Sequence, residues 1–450
     1  MKGYQFEDTQ GTFHLKKAEN ISYLYFPIAG EAGLKSSLTP NLGGDAKIDQ
    51  NTFLLEPVSA ENLVNNRNSR NFWCNVKGIG SWSLTGNAAE ALSKKFTEMQ
   101  DDSEVTAGFM WQKTTRESKK YQLRGEILSF IPVEKNVEVM LVTITNTGRM
   151  AQTVTPTAAI PLYGRSADNI RDHRHVTSLL HRIETTDTGV LVTPTLSFDE
   201  RGHQVNHMTY YCVGWSGNGE NPVDFYPTAE DFVGEGGNFE RPYAIVKNAE
   251  GVKAGTRIEG LEAVGGLHFS EVTLEPEEEC SYLIFTGITE DIQEIRNLSK
   301  TYTTREMVLE ELEKTKAYWQ EKVNVAYHTG DSDFNQFMHW VSFQPILRRI
   351  YGCSFLPHHD YGKGGRGWRD LWQDCLALLI MNPDGVRQML LDNFAGVRVD
   401  GSNATIIGSK QGEFVADRNN ITRVWMDHGV WPMITTKFYI DQTGDLELLE

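Results

Sequence analysis

From residue 1 to about 295 the hydrophobic pattern is that of strands. "VEVMLVTITNTG" (137–148) is the clearest case: apolar and polar residues alternate, and the run ends on an Asn-Thr-Gly turn signal. "SYLYFPIA" (22–29), "TGVLVTPTLSF" (188–198), "MTYYCVGW" (208–215) and "CSYLIFTGI" (280–288) are further β-rich runs, spaced by Gly, Asn and Asp turns. Strands of this kind over nearly three hundred residues predict a large antiparallel sandwich.

Near residue 290 the period changes. "TTREMVLEELEKTKAYWQEKV" (303–323) carries apolar residues at helical spacing, with glutamates and lysines on its other face, and reads as a helical linker. Helix and loop follow. "DSDFNQFMHWVSFQPILRRIYG" (331–352) opens on Asp and Ser as cap candidates, and "RDLWQDCLALLIM" (369–381) stops before Asn382–Pro383. "PDGVRQMLLDNFAG" (383–396) begins with proline, and "TRVWMDHGVWPMITTKFYIDQTGD" (422–445) closes on a turn. The predicted organisation is multidomain, β then α: a sandwich over 1–295, a linker over 296–325 and a helical domain over 326–450. The last residues, "DLELLE" (445–450), read as the first turns of another amphipathic helix, so the chain is expected to be cut there or continued by a partner.

A formal net charge of −17 argues against a nucleic-acid partner, which would want a basic face. No apolar run approaches the length of a membrane span, and "MKGYQFEDTQGTFHL" has no signal-peptide core, so a cytoplasmic protein is expected. Cys74, Cys212, Cys280, Cys353 and Cys375 are far apart, without metal-type spacing, and read as reduced, mostly buried thiols. "RSADNIRDHRH" (165–175) puts His173 and His175 at strand spacing near Asp168 and Asp172, but offers no third metal ligand. A charged loop is the reading preferred there, and no metal is expected.

Chemistry concentrates in "GKGGRGWRDLWQD" (362–374). On a helix starting near Arg369, Asp370 and Asp374 share a face, as do Trp368 and Trp372. Two carboxylates so placed repel each other, and Arg366 and Arg369 are near enough in sequence to neutralise them. One reading is a salt-bridged helix start with the tryptophans in the core. The other is a sugar subsite. Carboxylates and guanidiniums grip pyranose hydroxyls by charge-assisted hydrogen bonds, an aromatic packs on the ring's apolar face, and the preceding glycines let backbone approach a ligand.

"GRGWRDLWQD" also resembles the G-x-G-[FWY]-R-D-x-x-Q-D signature of the disaccharide phosphorylases of glycoside hydrolase family 94. "NFAGVRVDGS" (393–402) is similar to that family's "QFEDGS", and the order of parts agrees. The resemblance implies an N-terminal super-sandwich, a helical linker and the start of an (α/α)6 barrel. It implies that Asp370 binds hydroxyls of the donor glucose, with Arg369, Trp368, Gln373 and Asp374 matching the signature and Asp374 partly structural. The family's arginine before the aspartate falls here on Lys363 or Gly364, with Arg366 nearer. Its first phosphate-binding arginine corresponds to Arg349, or to Arg348 beside it. The implied reaction is inverting phosphorolysis of a β-glucoside disaccharide, laminaribiose before cellobiose, giving α-glucose 1-phosphate. Inorganic phosphate is the co-substrate, and no cofactor is required. A homodimer with sandwich loops near the partner's active site is also implied. The family's proton donor is the aspartate of an A-D-W-N-D segment; none occurs in this chain, so the acid is expected beyond Glu450. Two other readings stay open: a carbohydrate-binding protein without catalysis, and an (α/α)-barrel hydrolase related to glucoamylases.

Overall fold

The structure, a computed structural model, describes residues 3–21, 24–58, 69–170, 174–199, 202–351, 366–407, 414–415 and 427–450. It divides into two compact units. One comprises Met1–Glu7 and Thr12–Lys316, the other Asp8–Gly11 and Ala317–Glu450.

The first unit is an antiparallel sandwich. Its eleven-stranded sheet is centred on Leu123–Phe130, Val137–Asn146, Glu279–Thr289 and Thr209–Ser216, each paired with the next. A six-stranded sheet holds Asp224–Thr228, Ala263–His268, Gln152–Leu162, Asn71–Val76 and Gly80–Ser83 in that order, with Val272–Leu274 beside Gln152–Leu162. The run 280–288 looks continuously apolar because both its faces are covered. Tyr282 meets Phe72 and Phe269, with ring centroids 5.5 and 4.7 Å apart. Leu283 and Phe285 face the other way, into a cluster with Trp215, Ile295, Leu298, Tyr302, Val308 and Leu312. That cluster seats the helices Ile292–Thr301 and Arg305–Glu321 on the sheet, and Phe285 stacks between Trp215 (4.9 Å) and Tyr302 (5.4 Å). Full burial of such a side chain contributes roughly 1.5–3 kcal/mol. The "linker" periodicity at 303–323 is therefore in part the stripe of a helix packed on a sheet.

Two sequence-based expectations are corrected here. The alternation at 137–148 predicts one wet face, yet all ten residues of Val137–Asn146 are buried, because the strand is central and covered twice. Its inward carboxylate, Glu138, is answered by Arg70, itself fully buried, whose Nη2 lies 3.0 Å from Glu138 Oε2 and whose Nη1 donates to Gly44 O at 2.9 Å. The run 188–198 is two strands, Gly189–Val192 and Leu196–Asp199, broken around Pro194, which has no N–H to give a ladder. In the segment read as a charged loop, His175 stands in the short helix Arg174–Thr177, after the 3-10 turn Ala167–Ile170; His173 lies outside the described residues. Cys74, Cys212 and Cys375 are buried, and Cys280 is half-buried.

The second unit contributes four helices among the described residues, Ser332–Tyr351, Trp368–Met381, Val386–Phe394 and Val430–Thr443. Asp331 caps the first, its Oδ1 accepting from the N–H groups of Asp333 (3.0 Å) and Phe334 (3.1 Å). Asp8–Gly11 joins this unit because its backbone is held by side chains there. Trp340 Nε1 donates to Gly11 O at 2.7 Å, and Gln320 Nε2 to Gln10 O at 2.8 Å. The helix foreseen at 445–450 is a 3-10 turn, Leu446–Leu449. The architecture is thus an antiparallel sandwich followed by helices. No described helix is long and apolar enough to cross a membrane.

Candidate functional site

The helix Trp368–Met381 starts at Gly367, whose extended conformation (φ −59°, ψ 138°) makes it the N-cap. Just before it, Arg366–Gly367 pairs with Ile406–Ile407, and the Trp368 N–H donates to Thr405 O at 3.0 Å. What returns the chain to that position is the turn in "VRVDGS". Asp400 Oδ1 accepts from Ser402 N (2.9 Å) and Oγ (2.7 Å), and Gly401 takes φ +81°, open to glycine without strain. The Ser402 hydroxyl, then its N–H, holds the Asp400 carboxyl below the usual carboxylate range. The two segments that the sequence singled out separately are therefore neighbours.

Helical spacing then sorts the side chains. Trp368, Leu371, Trp372, Cys375, Leu378 and Leu379 face inward, while Arg369, Asp370, Gln373 and Asp374 line the other side. Trp368 is 1% exposed and Trp372 is fully buried; their rings meet edge to face at 5.6 Å, and Trp372 reaches Phe394 at 4.9 Å. Trp368 Nε1 donates to His428 O at 3.0 Å. The expected aromatic platform is thus interior packing at this position, since positions i and i+4 share the apolar stripe.

Asp370, in the first turn, benefits from the helix dipole and folds back over the N-cap. A Cβ on Gly367 would lie 2.3 Å from Asp370 Oδ2. Among the described residues, a cation that answers both carboxylates is Arg348, from the last turn of Ser332–Tyr351. Its Nε donates to Asp374 Oδ1 at 2.6 Å, and its Nη2 lies 3.5 Å from Asp370 Oδ1. Arg369 instead pairs with Asp427, Nη1 to Oδ2 at 2.9 Å. This corrects the expectation that Arg369 neutralises the aspartate pair. Asp374 is 14% exposed and Asp370 42%, so the pair has one inner and one open member. Gln373 is exposed and Arg349 half-buried. Arg366 is described only as backbone in its strand, and Lys363 and "HHD" (358–360) lie outside the described residues.

Two site neighbours, Asn403 and His428, have no clear signal in the sequence. Asn403 follows the aspartate-glycine-serine turn, and its Nδ2 lies 3.0 Å from His428 Nδ1. An amide NH2 can only donate, so Nδ1 accepts and the neutral ring carries its proton on Nε2. Burial lowers the His428 pKa, with Asp427 opposing that shift and Arg369 adding to it. Asp427 also accepts from Trp431 Nε1 at 3.2 Å. That bond, ahead of the one from Arg369, keeps its carboxyl below the usual range. The arrangement is a rim of fixed carboxylates and guanidiniums over a tryptophan-packed base. Such groups can bind hydroxyls and anions by directional hydrogen bonds.

Residues 58–305 match the model of the glycosyl hydrolase 94 supersandwich domain, and residues 318–450 that of the glycosyl hydrolase 94 superfamily catalytic domain. The 3-O-β-D-glucopyranosyl-β-D-glucuronide phosphorylase of Paenibacillus borealis is 23% identical over 352 residues, covering 74% of this chain and 40% of that protein. The cyclic β-(1,2)-glucan synthase NdvB of Rhizobium meliloti is 25% identical over 254 residues, 53% of this chain and 8% of that protein. The chain thus spans less than half the length of these curated relatives. Among solved structures, a protein assigned as a kojibiose phosphorylase from human microbiome superposes with a TM-score of 0.53 at 9% identity, over 98% of this chain and 57% of that one. A bacterial glucoamylase complexed with acarbose gives 0.51 at 10%, over 91% and 54%. At such identities the likeness is one of fold.

Proposed function

Because the chain belongs to glycoside hydrolase family 94, we propose that the protein cleaves a β-linked glucose disaccharide by inverting phosphorolysis, releasing α-glucose 1-phosphate and glucose. The observation that carries this reading is the half-exposed Asp370 carboxylate, held beside Asp374 by Arg348 at the head of the signature helix. In the proposed mechanism Asp370 accepts hydrogen bonds from donor-glucose hydroxyls, and Arg348 fixes its orientation. Arg349, on the same helix turn as Arg348, is the candidate for phosphate. A phosphate oxygen attacks the anomeric carbon from the face opposite the departing glycosidic oxygen, which an acid protonates. The C–O bond to the acceptor breaks as the C–O bond to phosphate forms, so a β-linkage yields the α-phosphate. The proton donor is assigned to none of the residues described.

The name of the Paenibacillus relative specifies a 3-O-β-glucosyl linkage, which favours laminaribiose over cellobiose as the substrate to try first. The reading includes a cytoplasmic homodimer with phosphate as its co-substrate. It is tested by following laminaribiose and cellobiose cleavage by the purified protein with and without inorganic phosphate. Phosphate-dependent cleavage is expected. Cleavage at an undiminished rate in phosphate-free buffer would instead mark a hydrolase, and binding without cleavage would mark a non-catalytic carbohydrate-binding protein.

A further inference from the structure

The sandwich carries a second feature suited to a ligand. A cleft of about 300 Å³ opens where the loop that follows the short helix Ala229–Val233 meets the short helix Tyr243–Lys247, walled by Glu235, Asn238, Arg241, Tyr243, Val246 and Lys247. That volume is at the lower end of small-ligand sites. Its frame is anchored, since Phe232, Ala244 and Ile245 are buried in a cluster with Trp73, Tyr226 and Val264. Gly234 takes φ +72°, and a Cβ there would lie 2.4 Å from Tyr243 Cβ and 2.9 Å from its Cγ. The loop therefore presses on the base of Tyr243, whose side chain leaves the residue 52% exposed.

The polar groups around the ring are unspent. Among the described residues the charged ends of Glu235, Arg241 and Lys247 and the Tyr243 hydroxyl have no partner. Asn238 uses its Oδ1 to accept the Arg241 N–H at 2.8 Å, which leaves the amide NH2 free to donate. The cleft thus offers one aromatic surface, several donors and one strong acceptor. A simple anion would be drawn by Arg241 and Lys247 but opposed by Glu235. A neutral polyol uses all of them, because each hydroxyl both donates and accepts and the C–H face of a pyranose packs on an aromatic ring.

We propose that this cleft is a second saccharide-binding site, separate from the Asp370 site, and that it takes the end of a β-glucan oligosaccharide. The choice of β-glucan rests on the reading above, while the saccharide chemistry rests on the cleft alone. The test is calorimetric titration of laminaritriose and cellotriose into the purified protein carrying Asp370→Ala, which disables the other site. Saturable binding is expected, weakened at least tenfold when Tyr243→Ala or Arg241→Ala is added and kept within about threefold by Tyr243→Phe. Unchanged melting temperatures would show that the variants are folded. In the otherwise unsubstituted protein, Tyr243→Ala should leave the cleavage rate intact. No saturable binding to Asp370→Ala, or binding indifferent to both Tyr243→Ala and Arg241→Ala, would overturn the proposal. Failure of phosphorolysis with this binding intact would overturn only the catalytic reading.

Discussion

Asp370 and Gly367 are coupled by contact, and this gives the account its sharpest tests at the level of single residues. Asp370→Ala should lower kcat/KM for the disaccharide by orders of magnitude. A loss below about threefold, under ~1 kcal/mol, would make Asp370 a structural residue. Gly367→Ala adds a Cβ that would lie 2.3 Å from Asp370 Oδ2, so the carboxylate must swing away. Because a short exposed side chain can rotate at small cost, the melting temperature should hardly move. Activity should fall at least tenfold, as expected when a binding group is misplaced by about 1 Å. Equal effects on stability and activity would instead point to a disturbed helix start. The sequence made Arg369, Asp370, Gln373 and Asp374 legible as one face, because helical spacing is a local property. It did not reveal Arg348 as the common partner of both aspartates, because that cation arrives from another helix. Nor did it show which aromatic residues face out: Trp368 fits a sugar platform by composition and core by periodicity, and the structure buries it.

At the level of elements, the strand Val137–Asn146 shows what alternation can hide. Glu138 occupies a position that alternation assigns to solvent, but the strand lies inside the sheet and its carboxylate is fully buried against Arg70. A buried pair of this kind costs much more to break than it contributes when intact. Arg70→Met should therefore destabilise the protein by about 3–5 kcal/mol, read from the midpoint of denaturant unfolding. The double variant Arg70→Met/Glu138→Leu should recover more than half of that loss, since no charge is then stranded. A double variant as unstable as the single one would mean that shape, not charge, fixes this site. The strands at 208–215 and 280–288 were legible because continuous β-branched and aromatic runs survive in any environment. The break near Pro194 follows from a residue that cannot donate, a signal present in the sequence but overshadowed by the apolar run around it.

For the molecule as a whole, the change from period two to period 3.6 near residue 290 made the order of sandwich and helices readable. The membership of Asp8–Gly11 in the helical unit could not be read, because it depends on Trp340 and Gln320 reaching back to a loop more than three hundred residues earlier. Global stability also has a predictable pH response. His181 is fully buried, and its Nε2 accepts from Arg165 Nε at 3.3 Å while Nδ1 faces Leu261 O at 3.2 Å. An arginine cannot accept, so the ring must be neutral. Burial, reinforced by the Arg165 charge, brings the His181 pKa down to about 3. Below the unfolded value of about 6.5 the unfolded chain binds a proton that the folded one refuses. Stability should therefore be complete above about pH 6.5 and decline as pH falls towards 3, with a contribution approaching ~1.4 kcal/mol per pH unit. His181→Gln, which keeps an acceptor and a donor, should flatten the slope between pH 6.5 and 5, above the range where carboxylates titrate. An unaltered slope would show that another group governs acid sensitivity.

Proton NMR of the first product formed from laminaribiose in phosphate buffer reads its anomeric configuration, and so decides between phosphorolysis with inversion and its rivals. Inverting phosphorolysis predicts α-glucose 1-phosphate appearing in step with free glucose. Appearance of β-glucose 1-phosphate would contradict inversion, and two molecules of free glucose without a sugar phosphate would contradict phosphorolysis itself.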